Sequence, residues 1–310
     1  MTTPDNMDTQ APAGATRCGF VALIGAPNAG KSTLLNQLVG MKVAIVTPKV
    51  QTTRARLRAI AVHGPSQLVF VDTPGIFKPR RTLDKAMVEA AWAGAEEADI
   101  VLLLVDSRTG LDEEVEAVLD ALAASGLKAQ LVLNKVDAVK RESLLALSAA
   151  LNERVAFENT FMISALTGDG VDDLRAFLAD HMPEGPWLYP EDQIADVPLR
   201  LMASEVTREK LFLRLHQELP YASTVETESW TEKPDGSVRI EQVIYVERDG
   251  QKKIVLGKGG RSIKEIGQAA REELQEMLGK RVHLFLFVKV RENWGRDPER
   301  FQMMGLDFPR

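Results

Sequence analysis

An apolar run at residues 20–24 ends in Gly25-Ala26-Pro27-Asn28-Ala29-Gly30-Lys31-Ser32, which fits G-x-x-x-x-G-K-[ST] and opens a segment at 31–38 with Leu34, Leu35 and Leu38 at helical spacing. A glycine-rich turn between a strand and a helix lets backbone N–H groups curl around a polyanion, and the helix start adds a positive dipole end. At average residue frequencies the four fixed positions coincide about 0.01 times in a chain of this length. The loop therefore implies a bound triphosphate, with Lys31 at its β- and γ-phosphates, Ser32 on Mg²⁺ and Thr33 continuing the cradle. It does not choose between ATP and GTP, which such loops serve equally.

That loop needs an open α/β sheet, and the flanking pattern supplies one. Short apolar runs at 20–24, 57–62, 68–71, 100–105, 130–133 and 160–163 are the predicted strands. They alternate with predicted helices at 31–38, 87–97, 113–124, 141–151 and 171–179, the grammar of a mostly parallel sheet wrapped by helices. With 310 residues the chain has room for a second domain. The expected organisation is a flexible tail at 1–16, an α/β domain at 17–180, a linker at 181–198, a small α+β domain at 199–294 and a tail at 295–310. The linker reading rests on Pro183, Pro186, Pro190 and Pro198 with Gly185.

In the second domain the pattern predicts a helix at 203–218, a strand at 222–231, a Pro234-Asp235-Gly236 turn and a strand at 238–246. After Asp249-Gly250 it predicts a short strand, a glycine loop, a helix at 262–278 and a final strand at 281–290. Neither terminal tail is given a role. Cys18 is the only cysteine, which excludes an intrachain disulfide and a cysteine metal site and fits a reducing compartment. The run at 100–105 is far below the roughly 20 residues of a membrane span, and the first sixteen residues lack a signal-peptide core. Net charge is −8 over 1–198 and +2 over 199–310, so the basic excess sits in the second domain.

Three further loops follow predicted strands. Asp72-Thr73-Pro74-Gly75 places a carboxylate at the sheet edge beside the phosphate loop, where open sheets bind ligands, and makes Asp72 the carboxylate of the Mg²⁺ site. Gly75 can offer its N–H to the γ-phosphate, which makes the segment after it sensitive to that phosphate. Asn134-Lys135-Val136-Asp137 ends another strand. A carboxylate there accepts two hydrogen bonds from guanine, a donor pair adenine lacks, so Asp137 selects guanine while Lys135 lies over the base and Asn134 ties the loop down. Ser164, Ala165 and Leu166 follow the last strand and can supply a backbone N–H to the guanine carbonyl.

In this order the loops GAPNAGKS, QTTR, DTPG, NKVD and ISA resemble the translation-factor-related class of GTPases. The resemblance implies that Gln51-Thr52-Thr53-Arg54 is a switch segment whose threonine closes on Mg²⁺ and the γ-phosphate, and it leaves open whether Thr52 or Thr53 does so. Arg54, Arg56 and Arg58 alternate with apolar residues, as an arginine finger or, more in keeping with a strand edge, as solvent-facing charges. Ile76 stands where Ras-like enzymes carry the glutamine that orients the attacking water, so intrinsic hydrolysis should be slow. Asn28 matches the asparagine with which related GTPases hold K⁺. The expected catalytic group is Lys31, Thr52, Thr53, Gly75 and Asn28.

Gly257-Lys258-Gly259-Gly260 fits G-x-x-G, a motif that occurs about 1.5 times per 300 residues by chance and carries nothing alone. Its surroundings decide: Lys252, Lys253, Lys258, Arg261 and Lys264 lie between Gly250 and Lys264 with no acidic residue. Cations and a backbone open to close approach are what RNA phosphates need. The helix, strand, strand, glycine loop, helix, strand order resembles a type II KH domain, and the chain from about Cys18 to Trp294 resembles the Era family of GTPases. That resemblance implies binding of GTP and GDP, and binding of the 3′ end of small-subunit ribosomal RNA in assembly of the 30S subunit. It further implies a cytoplasmic monomer, with peripheral association at the inner membrane left open. The rival reading is an RNA-binding assembly chaperone whose nucleotide is structural.

Overall fold

Each strand of the first domain is short and apolar because helices cover both sides of its sheet. The structure is a computed structural model that describes residues 15–49, 52–54, 57–216 and 218–309. Nearly all of the expected N-terminal tail, together with Gln51 and Arg56, therefore lies outside the described residues. The chain runs β1 (Arg17–Gly25), α1 (Lys31–Val39), β2 (Leu57–His63), β3 (Ser66–Asp72), α2 (Thr82–Glu96) and β4 (Ile100–Asp106). It continues through α3 (Glu113–Ser125), β5 (Gln130–Asn134), α4 (Arg141–Arg154), β6 (Thr160–Met162) and α5 (Val171–His181).

The sheet order is β2-β3-β1-β4-β5-β6, parallel except for the β2–β3 hairpin. Alternate residues of β1 face opposite layers: Val21 and Leu23 pack with Leu34 and Leu38 of α1 and Leu174 of α5, whereas Ala22 and Ile24 pack with α2, α3 and α4. The parallel strands all end at one edge, and the phosphate loop leaves β1 there. Helix α2 begins five residues earlier than the apolar spacing predicts, because the Asp84 carboxylate accepts the Arg80 and Arg81 N–H groups at 3.0 Å and caps an extra turn.

The proline-rich stretch after α5 forms neither helix nor named strand, but it lies along the edge strand β2. Ile60 N donates to Ile194 O at 2.8 Å, Asp196 N to Arg58 O at 3.0 Å, and Gln67 is bonded to the backbone of Leu188 and Tyr189. The segment covers an otherwise open sheet edge.

The second domain contains α6 (Leu199–Arg214), β7 (Ser223–Glu232), β8 (Val238–Val246), α7 (Asp249–Leu256), α8 (Arg261–Leu278), β9 (Val282–Val290) and α9 (Pro298–Met303). Its sheet order is β7-β8-β9, with β7 and β8 antiparallel and β8 and β9 parallel. Two sequence expectations are corrected here. The stretch before the glycine loop is helix α7, not a strand: its start is capped by Gln251, whose side chain accepts the Glu247 and Arg248 N–H groups, and of the apolar triplet at 254–256 only Val255 is buried. Strands β8 and β9 are accordingly joined by a two-helix crossover, as a parallel pair requires. Helix α6 also starts earlier than expected, directly after Pro198, whose carbonyl accepts the Leu201 and Met202 N–H groups.

The segment after Trp294 folds back between the domains. Trp294, Phe301 and Leu306 are buried against Leu83, Ala86 and Met87 of α2, and Trp294 Nε1 donates to Ala222 O at 3.1 Å. Buried Arg300 pairs with Glu226 and lies over the Tyr245 ring.

Candidate functional site

Gly25 and Gly30 fix the shape of the phosphate loop. A Cβ on Gly25, at φ 146°, would stand 2.4 Å from Leu104 O, and one on Gly30, at φ 98°, would stand 2.2 Å from Asn134 Nδ2. Between them Pro27, Asn28 and Ala29 make the turn, with Asn28 itself in the left-handed region. Buried Lys31 arches back over the loop, donating from Nζ to Gly25 O at 3.0 Å and Ala26 O at 2.9 Å. Burial lowers its pKa to about 8, against the pull of Asp72. The loop, Ser32, Thr33 and the segment before β2 enclose a cavity of about 320 Å³.

On one wall of this cavity three oxygens converge. Ser32 Oγ and Thr53 Oγ1 lie 3.0 Å apart, and both donate to Asp72 Oδ2, at 3.4 and 3.2 Å. Asp72 is wholly buried, and among the described residues its Oδ1 has no hydrogen-bond partner. Burial raises its pKa to about 6, with Lys31 and the two hydroxyls opposing. An orphaned carboxylate oxygen beside two hydroxyls is a hard-oxygen donor set of the kind Mg²⁺ takes, with phosphate and water oxygens completing the octahedron. Thr52 turns elsewhere: its Oγ1 lies 2.7 Å from Thr47 Oγ1 and donates to Lys49 O at 2.7 Å.

Gly75 packs on the phosphate loop, where a Cβ would come within 3.1 Å of the Pro27 backbone. Thr73 Oγ1 anchors the turn to Leu23 O at 2.6 Å, and Pro74 leads the chain into Gly75. Ile76 N donates to Gly25 O at 3.0 Å while the Ile76 side chain is buried with Ala26 and Ala91. No side-chain base stands at that position.

The far end of the cavity is tied together by Asn134. Its Nδ2 donates to Ala29 O at 2.8 Å, and its Oδ1 accepts the N–H groups of Lys135 and Ala165 at 2.8 and 3.0 Å, so one amide joins three loops. Lys135, at φ 64°, donates from Nζ to Asn28 O at 2.6 Å and Asp106 Oδ2 at 2.7 Å. Asp106 is held in turn by a bidentate pair with Arg108. Burial works against ionisation of Asp106, but the bonds from Arg108 and Lys135 outweigh it and keep its pKa at about 2. Asp106 and Arg108 were not among the residues the motifs singled out; their only signal is a carboxylate closing the apolar run of β4 level with Asn134. Asp137 and Leu166 are exposed and do not line the cavity, whereas Ser164 is buried and its Oγ accepts Thr167 N.

The segment around Thr53 also touches the second domain. Arg208 of α6 donates to Thr52 O and pairs with Glu205. Glu209 of α6 accepts Lys42 Nζ and the Val46 N–H at 2.9 Å, and Lys49 Nζ donates to Phe212 O. Arg54 corrects the expectation of a solvent-facing charge. It is 2% exposed, donates to Ser223 O at 2.8 Å and Pro220 O at 3.2 Å, and lies between the rings of Phe212 and Trp294. Burial and the neighbouring Arg208 lower its pKa to about 9. It points away from the phosphate loop and is no finger for that site. Arg58 lies over the Phe20 ring.

The glycine loop joins α7 to α8 and is held by left-handed or otherwise positive φ at Gly257, Gly259 and Gly260. A Cβ on Gly257 would meet Ser262 at 2.7 Å. Lys253, Lys258, Arg261 and Lys264 are exposed around it, with Lys252 half-buried; Arg261 pairs with Glu265 at 2.9 Å. Cations thus surround a backbone that a nucleic-acid strand can approach closely.

Residues 20–135 match a family described as 50S ribosome-binding GTPase, and residues 218–295 match the KH domain family. The chain is 66% identical over 310 residues to the GTPase Era of Sinorhizobium medicae, with 100% of both chains covered. It is 67% identical over 308 residues to the GTPase Era of Rhizobium meliloti, covering 99% of this chain and 98% of that one. Two solved structures match with TM-score 0.88 at 37% identity, covering 94% of this chain and 99% of theirs. One is an Aquifex aeolicus Era variant bound to GDP·AlF4⁻, the other Era in complex with MgGDPNP and nucleotides 1506–1542 of 16S ribosomal RNA.

Proposed function

The chain belongs to the Era family of GTPases and hydrolyses GTP, and from that membership we propose that it is a nucleotide-gated binder of the 3′ end of small-subunit ribosomal RNA, acting in assembly of the 30S subunit. One observation carries the gating: three consecutive residues divide between the two domains. The Thr53 hydroxyl meets Ser32 and Asp72 in the nucleotide cavity, while the Thr52 carbonyl and the Arg54 guanidinium are bound by α6 and the chain around β7. Ordering Thr53 on a γ-phosphate therefore pulls directly on the RNA-binding domain. The RNA assignment is supported by the KH match and by the 16S fragment held by the solved relative; that fragment belongs to the small subunit, so the proposal follows it and not the large-subunit description of the GTPase family.

In this reading Lys31 and the N–H groups of the phosphate loop bind the β- and γ-phosphates, and the Gly75 N–H binds the γ-phosphate. Ser32 and Thr53, with Asp72 behind them, hold Mg²⁺, which when bound compensates charge on the β- and γ-oxygens; of the two candidate threonines Thr53 is the ligand. Asp137 recognises guanine, Lys135 lies along the base, and Ser164, Ala165 and Leu166 close the pocket. Asn28 contributes to a K⁺ site, which supplies positive charge in place of an arginine finger. With Ile76 buried, water is oriented by backbone groups, and hydrolysis without RNA is slow. Lys252, Lys253, Lys258, Arg261 and Lys264 neutralise phosphates around the glycines at 257, 259 and 260. Cytoplasmic action as a monomer, with peripheral attachment to the inner membrane through Lys/Arg patches, rests on family resemblance alone; among the described residues no helix is long and apolar enough to cross a bilayer.

The test is GTP hydrolysis in KCl against NaCl at fixed ionic strength, with and without RNA carrying the small-subunit 3′ sequence, together with RNA affinity in GDP and in a non-hydrolysable GTP analogue. Stimulation by RNA, preference for K⁺ and a nucleotide-dependent RNA affinity are expected. Equal RNA affinity in both nucleotides would remove the gating.

A further inference from the structure

Thr53 also lines a second, small cavity of about 20 Å³, whose walls come from both domains. Val43 and Leu57 of the first domain and Leu201 of α6 make it apolar, and among the described residues its charged groups are Asp72 and Glu205 alone. The Asp72 carboxylate is satisfied on one side only. Its Oδ2 accepts the Ser32 and Thr53 hydroxyls, while Oδ1 has no hydrogen-bond partner among the described residues. A buried carboxylate oxygen without a donor carries its full desolvation cost.

Glu205 is 19% exposed in its side chain and is held by Arg208, whose Nε donates to Oε1 at 2.8 Å and whose Nη2 donates to Oε2. These bonds use about half of the acceptor positions of a carboxylate. Burial is the main cause that holds the Asp72 pKa at about 6, and the Glu205 charge adds to it, so the two carboxylates act on each other. A cavity of this size holds about one water, and a buried water needs at least two polar partners. Two ionised carboxylates accept only, and a water has two O–H groups to donate. We propose that an ordered water in this cavity donates to Asp72 Oδ1 and to the Glu205 carboxylate, which makes Glu205 a positioning residue for the magnesium site.

The water gives Oδ1 its donor and fixes the rotation of the Asp72 carboxylate, so that Oδ2 stays on the two hydroxyls. A partner that orients a carboxylate beside a metal, and brings negative charge with it, raises affinity for the cation. Glu205 belongs to α6, so docking of the C-terminal domain tightens Mg²⁺, and by linkage Mg²⁺ favours docking. The inference rests on the Mg²⁺ reading of Asp72 above and extends that site to a residue of the other domain.

Mg²⁺ affinity is read without turnover, from the Mg²⁺ dependence of binding of a non-hydrolysable GTP analogue to the full-length protein. Binding of the same analogue in EDTA reports on folding. Glu205→Gln is expected to weaken Mg²⁺ about tenfold with analogue binding in EDTA unchanged. Arg208→Gln removes the other half of the same ion pair, and by taking away a cation it should leave Mg²⁺ affinity unchanged or raise it. A comparable fall in both variants means that Glu205 acts only through Arg208, and overturns the proposal. A crystal structure of the parent protein should show a water within hydrogen-bond distance of Asp72 Oδ1 and Glu205; a cavity without it overturns the proposal as well. Asp72→Asn separates the two readings. Loss of Mg²⁺ affinity in Asp72→Asn with none in Glu205→Gln removes the water bridge alone, whereas no loss in Asp72→Asn means that the Mg²⁺ reading of Asp72 has itself failed.

Discussion

Arg208, on the first helix of the C-terminal domain, donates to the backbone carbonyl of Thr52, one residue before the hydroxyl that meets Ser32 and Asp72. Arg208 is 1% exposed and its other partner is Glu205 of the same helix. A buried guanidinium cannot trade this carbonyl for water, so movement of the Thr52–Thr53 backbone must be transmitted to α6 or break the bond.

Arg208→Ala is therefore expected to uncouple the domains. The ratio of RNA affinities in GTP analogue and GDP should fall to near one, while GTP affinity changes by less than about threefold, and the protein should lose about 3 kcal/mol of stability. Urea unfolding and RNA titration in each nucleotide read both effects; an unchanged affinity ratio removes Arg208 from the coupling.

Thr53 and Thr52 should separate cleanly. In the proposed Mg²⁺ site the Thr53 hydroxyl is a ligand, so Thr53→Ala is expected to raise the Mg²⁺ needed for half-maximal hydrolysis and to cut the rate at least about tenfold. Thr52→Ala loses only local bonds to Thr47 and Lys49 and should stay within about threefold. Mg²⁺ titrations of the two variants decide which threonine ligates.

The pH dependence follows from Asp72. Burial holds its folded-state pKa at about 6, above the ordinary value of 3.8. Between these values the native state binds a proton that the unfolded chain does not, so metal-free stability falls as pH rises through this window. Mg²⁺ requires the carboxylate, and its affinity should weaken about tenfold per pH unit below 6 and level off above. Asp72→Asn should bind Mg²⁺ weakly at every pH, and a slope that survives this substitution assigns the proton elsewhere.

Asp137 is exposed two residues after Lys135, which lines the cavity, and among the described residues its side chain makes no hydrogen bond or ion pair that a substitution would break. Asp137→Asn should weaken GTP roughly hundredfold and admit xanthosine triphosphate, because the donor pair that the carboxylate accepts is then missing its partner. Competition between the two nucleotides in one binding assay gives the answer, and unchanged preference for GTP would take Asp137 out of base recognition.

How much of this was legible in advance differs from residue to residue. The phosphate loop could be read because its glycines answer to local necessity: at Gly30 a Cβ would collide with Asn134, and that requirement shows directly in residue identity. Helix α7 was misread because Ile254, Val255 and Leu256 look like a strand taken alone, while the Gln251 side chain that caps the helix gives only a weak pattern. Asp106 was passed over because its role, orienting Lys135, exists only once β4 and β5 lie side by side.

Arg54 marks the boundary between the two kinds of information. The sequence alone determined an α/β phosphate-binding domain, the loops that reach its edge and a glycine loop among cations, since each depends on spacing and backbone freedom within a few consecutive residues. Only the tertiary structure decided that Thr53 and not Thr52 faces Asp72, and that Arg54 is buried between Phe212 and Trp294. Those outcomes are set by groups far away in the chain, and which way a side chain turns at a domain boundary depends on what packs against it.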